Sequence, residues 1–140
     1  ANTTPFALAR DSEAYPLDEI IDACSLILEE DPTLEKVMDN LNHENGFVRY
    51  WTLIAVQHRK MKDPVVLKRL RGLLNDDFPT VQVEAARSLV KFGEHQAVET
   101  IIRHMRSPDD VQLLFATRAF QEVSSDLPSF TGLIGVVRAL

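Results

Sequence analysis

The sequence predicts an all-α fold in which about four helix pairs stack as a right-handed α-α superhelix. The main observation is a repeated pattern: a valine leads a helix, and small or apolar residues follow five and eight places later. The copies begin at Val48, Val81 and Val111, which are 33 and 30 residues apart. Internal repeats of this length are typical of helical solenoids. The low glycine content, five in 140 residues, agrees with a mostly helical chain.

Composition and charge limit the function classes that the chain can belong to. The formal net charge is −6 and the pI is about 5.1, whereas nucleic-acid binders usually carry a basic stripe. No apolar stretch approaches the roughly 20 residues that a membrane span requires. We therefore expect neither a nucleic acid nor a membrane among the partners, and since a solenoid presents surfaces, we expect a protein partner.

The chain divides by pattern into an N-terminal strap, residues 1–15, and a helical repeat domain, residues 16–140. The strap has turn residues, Thr4 and Pro5 among them, and no helical period. It still carries Phe6 and Leu8, so we expect it to lie against the first helices. Since the chain begins at Ala1 without an initiator methionine, we expect it to be a piece of a longer protein.

The first pair of helices is bracketed by proline residues. The first helix is predicted from Leu17 to Glu30, where acidic residues favour the positive first turn. The pair Asp31-Pro32 ends it and caps the second helix, which runs to Leu41.

The second pair contains the most apolar helix of the chain. The third helix, about residues 47–60, is apolar nearly all round, and such a helix is buried from several sides. The pair Asp63-Pro64 repeats the cap-and-proline arrangement and starts the fourth helix, which runs to Leu74.

The last four helices follow the same rules. The fifth, about residues 80–92, is predicted to be two-faced, with Glu84, Arg87, Ser88 and Lys91 on the polar side, and Gly93 ends it in the left-handed conformation. The sixth begins near His95. The seventh ends at Val123 and starts with a capping box at Ser107. A final helix carries Phe130, Leu133, Ile134 and Val137 at helical spacing.

Paired helices with a leading Val-Arg, small residues near the middle and Asp-Pro turns resemble HEAT repeats, most closely over residues 47–123. Two departures stand out. The arginine after the leading valine is present as Arg49 but replaced by Gln82 and Gln112, so the ladder of ion pairs common in HEAT arrays should be mostly absent. The glycine seen as Gly93 has no counterpart after the third helix, where Lys60 stands instead.

Three segments resemble a narrower family, the C-terminal HEAT-like region of certain bacterial sulfatases. They are residues 4–11, Thr-Pro-Phe-Ala-Leu-Ala-Arg-Asp; residues 15–20, Tyr-Pro-Leu-Asp-Glu-Ile; and residues 48–51, Val-Arg-Tyr-Trp. The resemblance implies an accessory domain that packs on the catalytic domain of its parent protein or on another protein. It also implies a periplasmic or extracellular location if the parent is a secreted sulfatase.

The sequence offers no catalytic, cofactor or metal site. Sulfatase catalysis needs Cys or Ser followed by x-Pro-x-Arg, but Cys24 is followed by Ser-Leu-Ile-Leu and no serine starts the motif. The four histidines are dispersed without metal-ligand spacing. The chain is therefore predicted to be non-catalytic, and a free-standing adaptor is the alternative. A glycosylase built from HEAT-like repeats is a third interpretation, against which the negative charge argues.

Arg49, Tyr50 and Trp51 are the predicted contact surface, because aromatic residues and arginine dominate binding hot spots. The competing interpretation is that both aromatic side chains belong to the core.

Overall fold

The computed structural model describes residues 15–128, and within that range every regular element is helical. This confirms the all-α prediction. The helices are α1 Leu17–Ser25, α2 Leu34–Leu41, α3 Gly46–Arg59, α4 Pro64–Leu73, α5 Pro79–Lys91, α6 Val98–His104 and α7 Asp110–Val123, with short 3-10 turns at His95–Ala97 and Ser124–Asp126. The predicted strap, apart from Tyr15, and the predicted final helix lie outside the described residues.

The chain separates into two compact units, residues 1–59 and 60–140. In the first unit, α1 and α2 both pack against α3. Ile20, Ala23 and Val48 form a buried cluster, and Tyr15 and Trp51 pack against it. The predicted boundary between a strap and a repeat domain stays a prediction.

In the second unit, α5 lies at the centre and packs against α4, α6 and α7. Apolar residues such as Val81 and Leu89 are fully buried along it, as expected. The prediction that the polar residues of α5 form a separate, polar face is wrong for Glu84 and Ser88, because both side chains are also buried. The reason is that α7 covers this side and supplies partners for its charges. No helix within residues 15–128 is long and apolar enough to cross a membrane.

Three predicted helix ends need correction. The seventh helix is capped by Asp109, whose Oδ1 accepts the Gln112 amide at 2.9 Å, and not by Ser107. The first helix ends at Ser25 rather than Glu30, and the Ser25 hydroxyl donates to the Asp22 carbonyl, 2.7 Å away. The cap of α2 is Thr33, whose Oγ1 accepts the Lys36 amide at 3.2 Å, and not Asp31. A hydroxyl adjoining the helix satisfies a free first-turn amide better than a carboxylate two residues further away.

The ends of α3 and α5 adopt the left-handed backbone that terminates many helices. Gly93 has a φ of 98°, as its position after the fifth helix predicted. Lys60, which stands where a glycine was expected after the third helix, has a φ of 55°. A non-glycine residue in this conformation costs about 1 kcal/mol or more. Lysine in place of glycine at position 60 therefore keeps the left-handed backbone and lowers the stability of the chain.

Candidate protein-interaction surfaces

The three predicted contact residues occupy different environments on α3. Arg49 is only 7% exposed, and its Nη1 donates to the carbonyls of His43 and Glu44 at 2.7 and 2.9 Å. Tyr50 and Trp51 are half-buried and meet edge to face, with ring centroids 5.4 Å apart. Arg49 therefore anchors the loop before α3, while both aromatic side chains keep part of their surface accessible. Their role in binding stays a prediction.

The residue after each leading valine anchors the loop that precedes its helix. Arg49 does so through the two carbonyls just described. Gln82 donates its side-chain Nε2 to the Asp76 carbonyl, and Gln112 accepts from the Ser107 hydroxyl at 3.2 Å. The change from arginine to glutamine therefore preserves a loop-anchoring function, which the repeat pattern alone did not reveal.

The loops themselves share a turn that recurs every 31 residues. In each copy a side-chain oxygen accepts the backbone amide two residues later, a conformation that prepares the chain to start a helix. The three pairs are Asn45 with Phe47 at 2.9 Å, Asp76 with Phe78 at 2.9 Å, and Ser107 with Asp109 at 3.1 Å. The spacing of the repeats predicts the positions of these loops correctly, but it does not predict the turn that they share.

A charged cluster, in which Glu84 is the buried member, joins α5 to the end of α7 and to the 3-10 turn after it. Glu84 is 2% exposed, and its Oε1 lies 2.8 Å from the Arg87 Nη2. Arg87 also donates to Glu122, and Lys91 pairs with Asp126 at 2.7 Å. Burial raises the pKa of Glu84 to about 7, a shift that Arg87 opposes and Glu122 reinforces. Since the ordinary value is near 4.5, this carboxyl titrates around neutral pH.

The outer side of α7 presents apolar side chains to solvent. Val111 is 74% exposed and Leu114 is 71% exposed, and the two are one helical turn apart. Arg118, one turn further, is also exposed. The opposite side of the helix is closed, since Ala116, Ala119 and Val123 are buried. We call Val111, Leu114 and Arg118 the α7 ridge. The sequence pattern does not predict this ridge, because periodicity gives no information on which apolar face stays uncovered.

An open pocket of about 730 Å³ lies in the second unit, where the ends of α4 and α5 meet the start of α6. Two of its polar lining residues are paired with each other, since the Arg71 Nε donates to both carboxylate oxygens of Glu94, at 3.0 and 3.1 Å. Leu74 and Leu89 supply its apolar wall. This ion pair links α4 to the loop before α6.

Metal-ligating side chains are not grouped in the described part of the chain. No group of three or more His, Cys, Asp or Glu side chains in residues 15–128 could hold a metal ion. His104 lies 2.8 Å from the Gln82 Oε1, and burial is the main cause that lowers its pKa. Cys24 is half-buried beside the α1–α3 cluster, and burial raises the pKa of its thiol.

Comparison with known proteins supplies the family. The family model described as HEAT repeats matches residues 7–119. Searches of curated proteins and of solved structures returned no significant match. HEAT repeats are typically non-catalytic and generally mediate protein–protein interaction.

Proposed function

Because the chain belongs to the HEAT-repeat family, we propose that it is a non-catalytic module that binds another protein through the α7 ridge. We propose further that this partner is the catalytic domain of a sulfatase to which the module is joined. The binding mechanism is shape-complementary burial of one helix face, and no bond is made or broken by the module itself.

The exposure of Val111 and Leu114 is the observation that supports binding most strongly. Two branched apolar side chains, each more than 70% exposed and one helical turn apart, are suited to insertion into a partner surface. Fully burying side chains of this size contributes about 1.5–3 kcal/mol each. Arg118 adds a planar cation at the end of the ridge, a residue type enriched in interface hot spots.

The choice of a sulfatase as the parent rests on the sequence resemblance in residues 4–11, 15–20 and 48–51. Two of these segments meet in the first unit, where Tyr15 and Trp51 pack against the same buried cluster. Arg49, Tyr50 and Trp51 are our proposed second contact, with the two aromatic side chains providing the surface and Arg49 holding the loop beneath them.

The reading frame of the parent gene provides the first test. A Cys or Ser followed by x-Pro-x-Arg, encoded upstream of Ala1, is the expected finding, and an upstream domain of another type would contradict the sulfatase proposal. The second test is calorimetric titration of the chain with that upstream domain. Leu114→Ser should weaken binding at least about tenfold, since it removes one anchor of the ridge. Val65→Ser, at a 45% exposed position on α4, is the matched control.

A free-standing adaptor is the second candidate, and the α7 ridge supports it equally because an exposed apolar row does not depend on covalent linkage. The adaptor function is favoured if the reading frame encodes no catalytic domain and the purified chain binds a protein from the organism's extract in a way that depends on Leu114. In that case affinity for the retained protein should fall in Leu114→Ser and stay unchanged in Val65→Ser.

A further inference from the structure

Helix α1 and the turn that follows it carry further exposed apolar side chains, outside the α7 ridge. Leu17 and Ile21 lie one turn apart on the helix and are 46% and 54% exposed, while Leu28 in the following turn is 85% exposed. The inner side of α1 is already filled, since Ile20 and Ala23 are buried against Val48. We call Leu17, Ile21 and Leu28 the α1 stripe. Single exposed apolar residues are ordinary, but Leu17 and Ile21 are neighbours on one side of α1 and Leu28 follows in the next turn. Clusters of exposed apolar residues mark interaction sites.

The charge around the α1 stripe is strongly one-sided. Residues 17–41 contain one basic residue, Lys36, against eight acidic ones: Asp18, Glu19, Asp22, Glu29, Glu30, Asp31, Glu35 and Asp39. Lys36 is already paired with Glu29. Asp18 and Asp22 follow Leu17 and Ile21 by one residue each, so the two carboxylates run alongside the two apolar side chains on the exposed half of the helix.

The second half of the chain does not share this charge. Residues 1–59 contain eleven acidic and four basic residues, whereas residues 60–140 contain ten acidic and eleven basic ones. The α7 ridge ends in a cation, Arg118, while the α1 stripe is bordered by carboxylates. Complementary charge steers encounter and excludes wrong partners. The two exposed apolar surfaces are therefore suited to different ligands.

We propose that the α1 stripe binds a basic amphipathic helix of a partner protein. The apolar side of that helix would cover Leu17, Ile21 and Leu28, and its lysine or arginine side chains would pair with Asp18 and Asp22. This is the helix-on-helix mode of recognition, with anchors at helical spacing and charges at the margin. The proposal is independent of the sulfatase assignment and of the α7 ridge.

The test uses the full 140-residue chain and two synthetic probes, a fluorescent amphipathic peptide of leucine and lysine and its leucine–glutamate counterpart. Fluorescence anisotropy should show binding of the lysine peptide that weakens as salt is raised, because exposed charge pairs are screened. Amide shifts in NMR spectra should centre on α1. Equal binding of both peptides, or shifts centred outside α1, would overturn the proposal.

Substitutions distinguish specific binding at the α1 stripe from non-specific adsorption of the peptide. Ile21→Ser should weaken the lysine peptide at least about tenfold, and Asp18→Asn with Asp22→Asn should weaken it and flatten its salt dependence. The controls are Val65→Ser and Asp77→Asn, which alter an exposed apolar residue and an exposed carboxylate of the second unit. Matching losses in the controls would contradict the assignment. Sedimentation without peptide provides a further check: self-association that Ile21→Ser abolishes would identify a second copy as the occupant and overturn the proposed partner class.

Discussion

Replacing Glu84 by glutamine should change how the stability of the chain depends on pH. Glu84 is buried on α5, and its folded-state pKa of about 7 lies above the ordinary value of 4.5. The folded state therefore holds this proton more tightly than the unfolded state. The resulting stabilisation is fully present below the unfolded pKa and is lost as the pH rises through 7.

The size of the effect follows from the shift in pKa. Moving from 4.5 to about 7 corresponds to about 3 kcal/mol of unfolding free energy, lost progressively between pH 4.5 and 8. Glutamine cannot ionise, so its stability should not fall over this window. The free energy of unfolding of Glu84→Gln, relative to the wild-type chain, should rise by about 3 kcal/mol from pH 4.5 to pH 8.

Urea unfolding followed by circular dichroism at a series of pH values measures this difference. Glu35→Gln, at an exposed carboxylate on α2, is the matched control and should follow the wild-type profile closely. Parallel profiles for wild type and Glu84→Gln would refute the reasoning, since they would mean that burial between α5 and α7 does not perturb this carboxyl.

Three further predictions concern the backbone, the loop anchor and the exposed ridge. Lys60→Gly should stabilise the chain by about 1 kcal/mol in urea unfolding, because residue 60 has a left-handed backbone that glycine adopts freely. Gly93→Ala should destabilise the chain by at least as much for the same reason. Opposite signs would contradict the backbone assignment. Arg49→Ala should lower the unfolding free energy by about 3 kcal/mol, because two loop carbonyls lose a charged donor, and Arg49→Lys should recover part of it. Leu114→Ser should leave the melting temperature nearly unchanged, since the side chain is 71% exposed; a large drop would show that the ridge is covered within the chain.

The helices were predictable because their signals are local. Apolar residues at helical spacing, the Asp63-Pro64 start and the glycine at position 93 depend only on neighbouring residues. The end of the first helix is harder to predict from sequence, because the Ser25 hydroxyl competes with a backbone amide for the Asp22 carbonyl in its own turn. The left-handed Lys60 shows a further limit: the repeat geometry imposes a backbone conformation that the residue itself disfavours.

The environment of polar residues could not be predicted from periodicity. Glu84 and Arg87 lie on the side of α5 that the pattern marks as solvent-facing, and only the packing of α7 brings Glu122 to them. Arg49 was assigned to a contact surface by residue type, yet the structure directs its guanidinium to loop carbonyls. The α1 stripe and the α7 ridge were missed for the complementary reason, since a helix pattern does not say which apolar side chains lack a neighbour.

Site-specific photocrosslinking tests the central claim, protein binding through the α7 ridge, most directly. A photoreactive phenylalanine derivative replaces Leu114 in one version of the chain and Val65 in another. Each version is irradiated with the proposed partner, which is the upstream catalytic domain in the sulfatase proposal and the retained protein in the adaptor alternative. The account predicts a crosslinked product from position 114 and little or none from position 65. Crosslinking from position 65 with none from position 114 would contradict the claim.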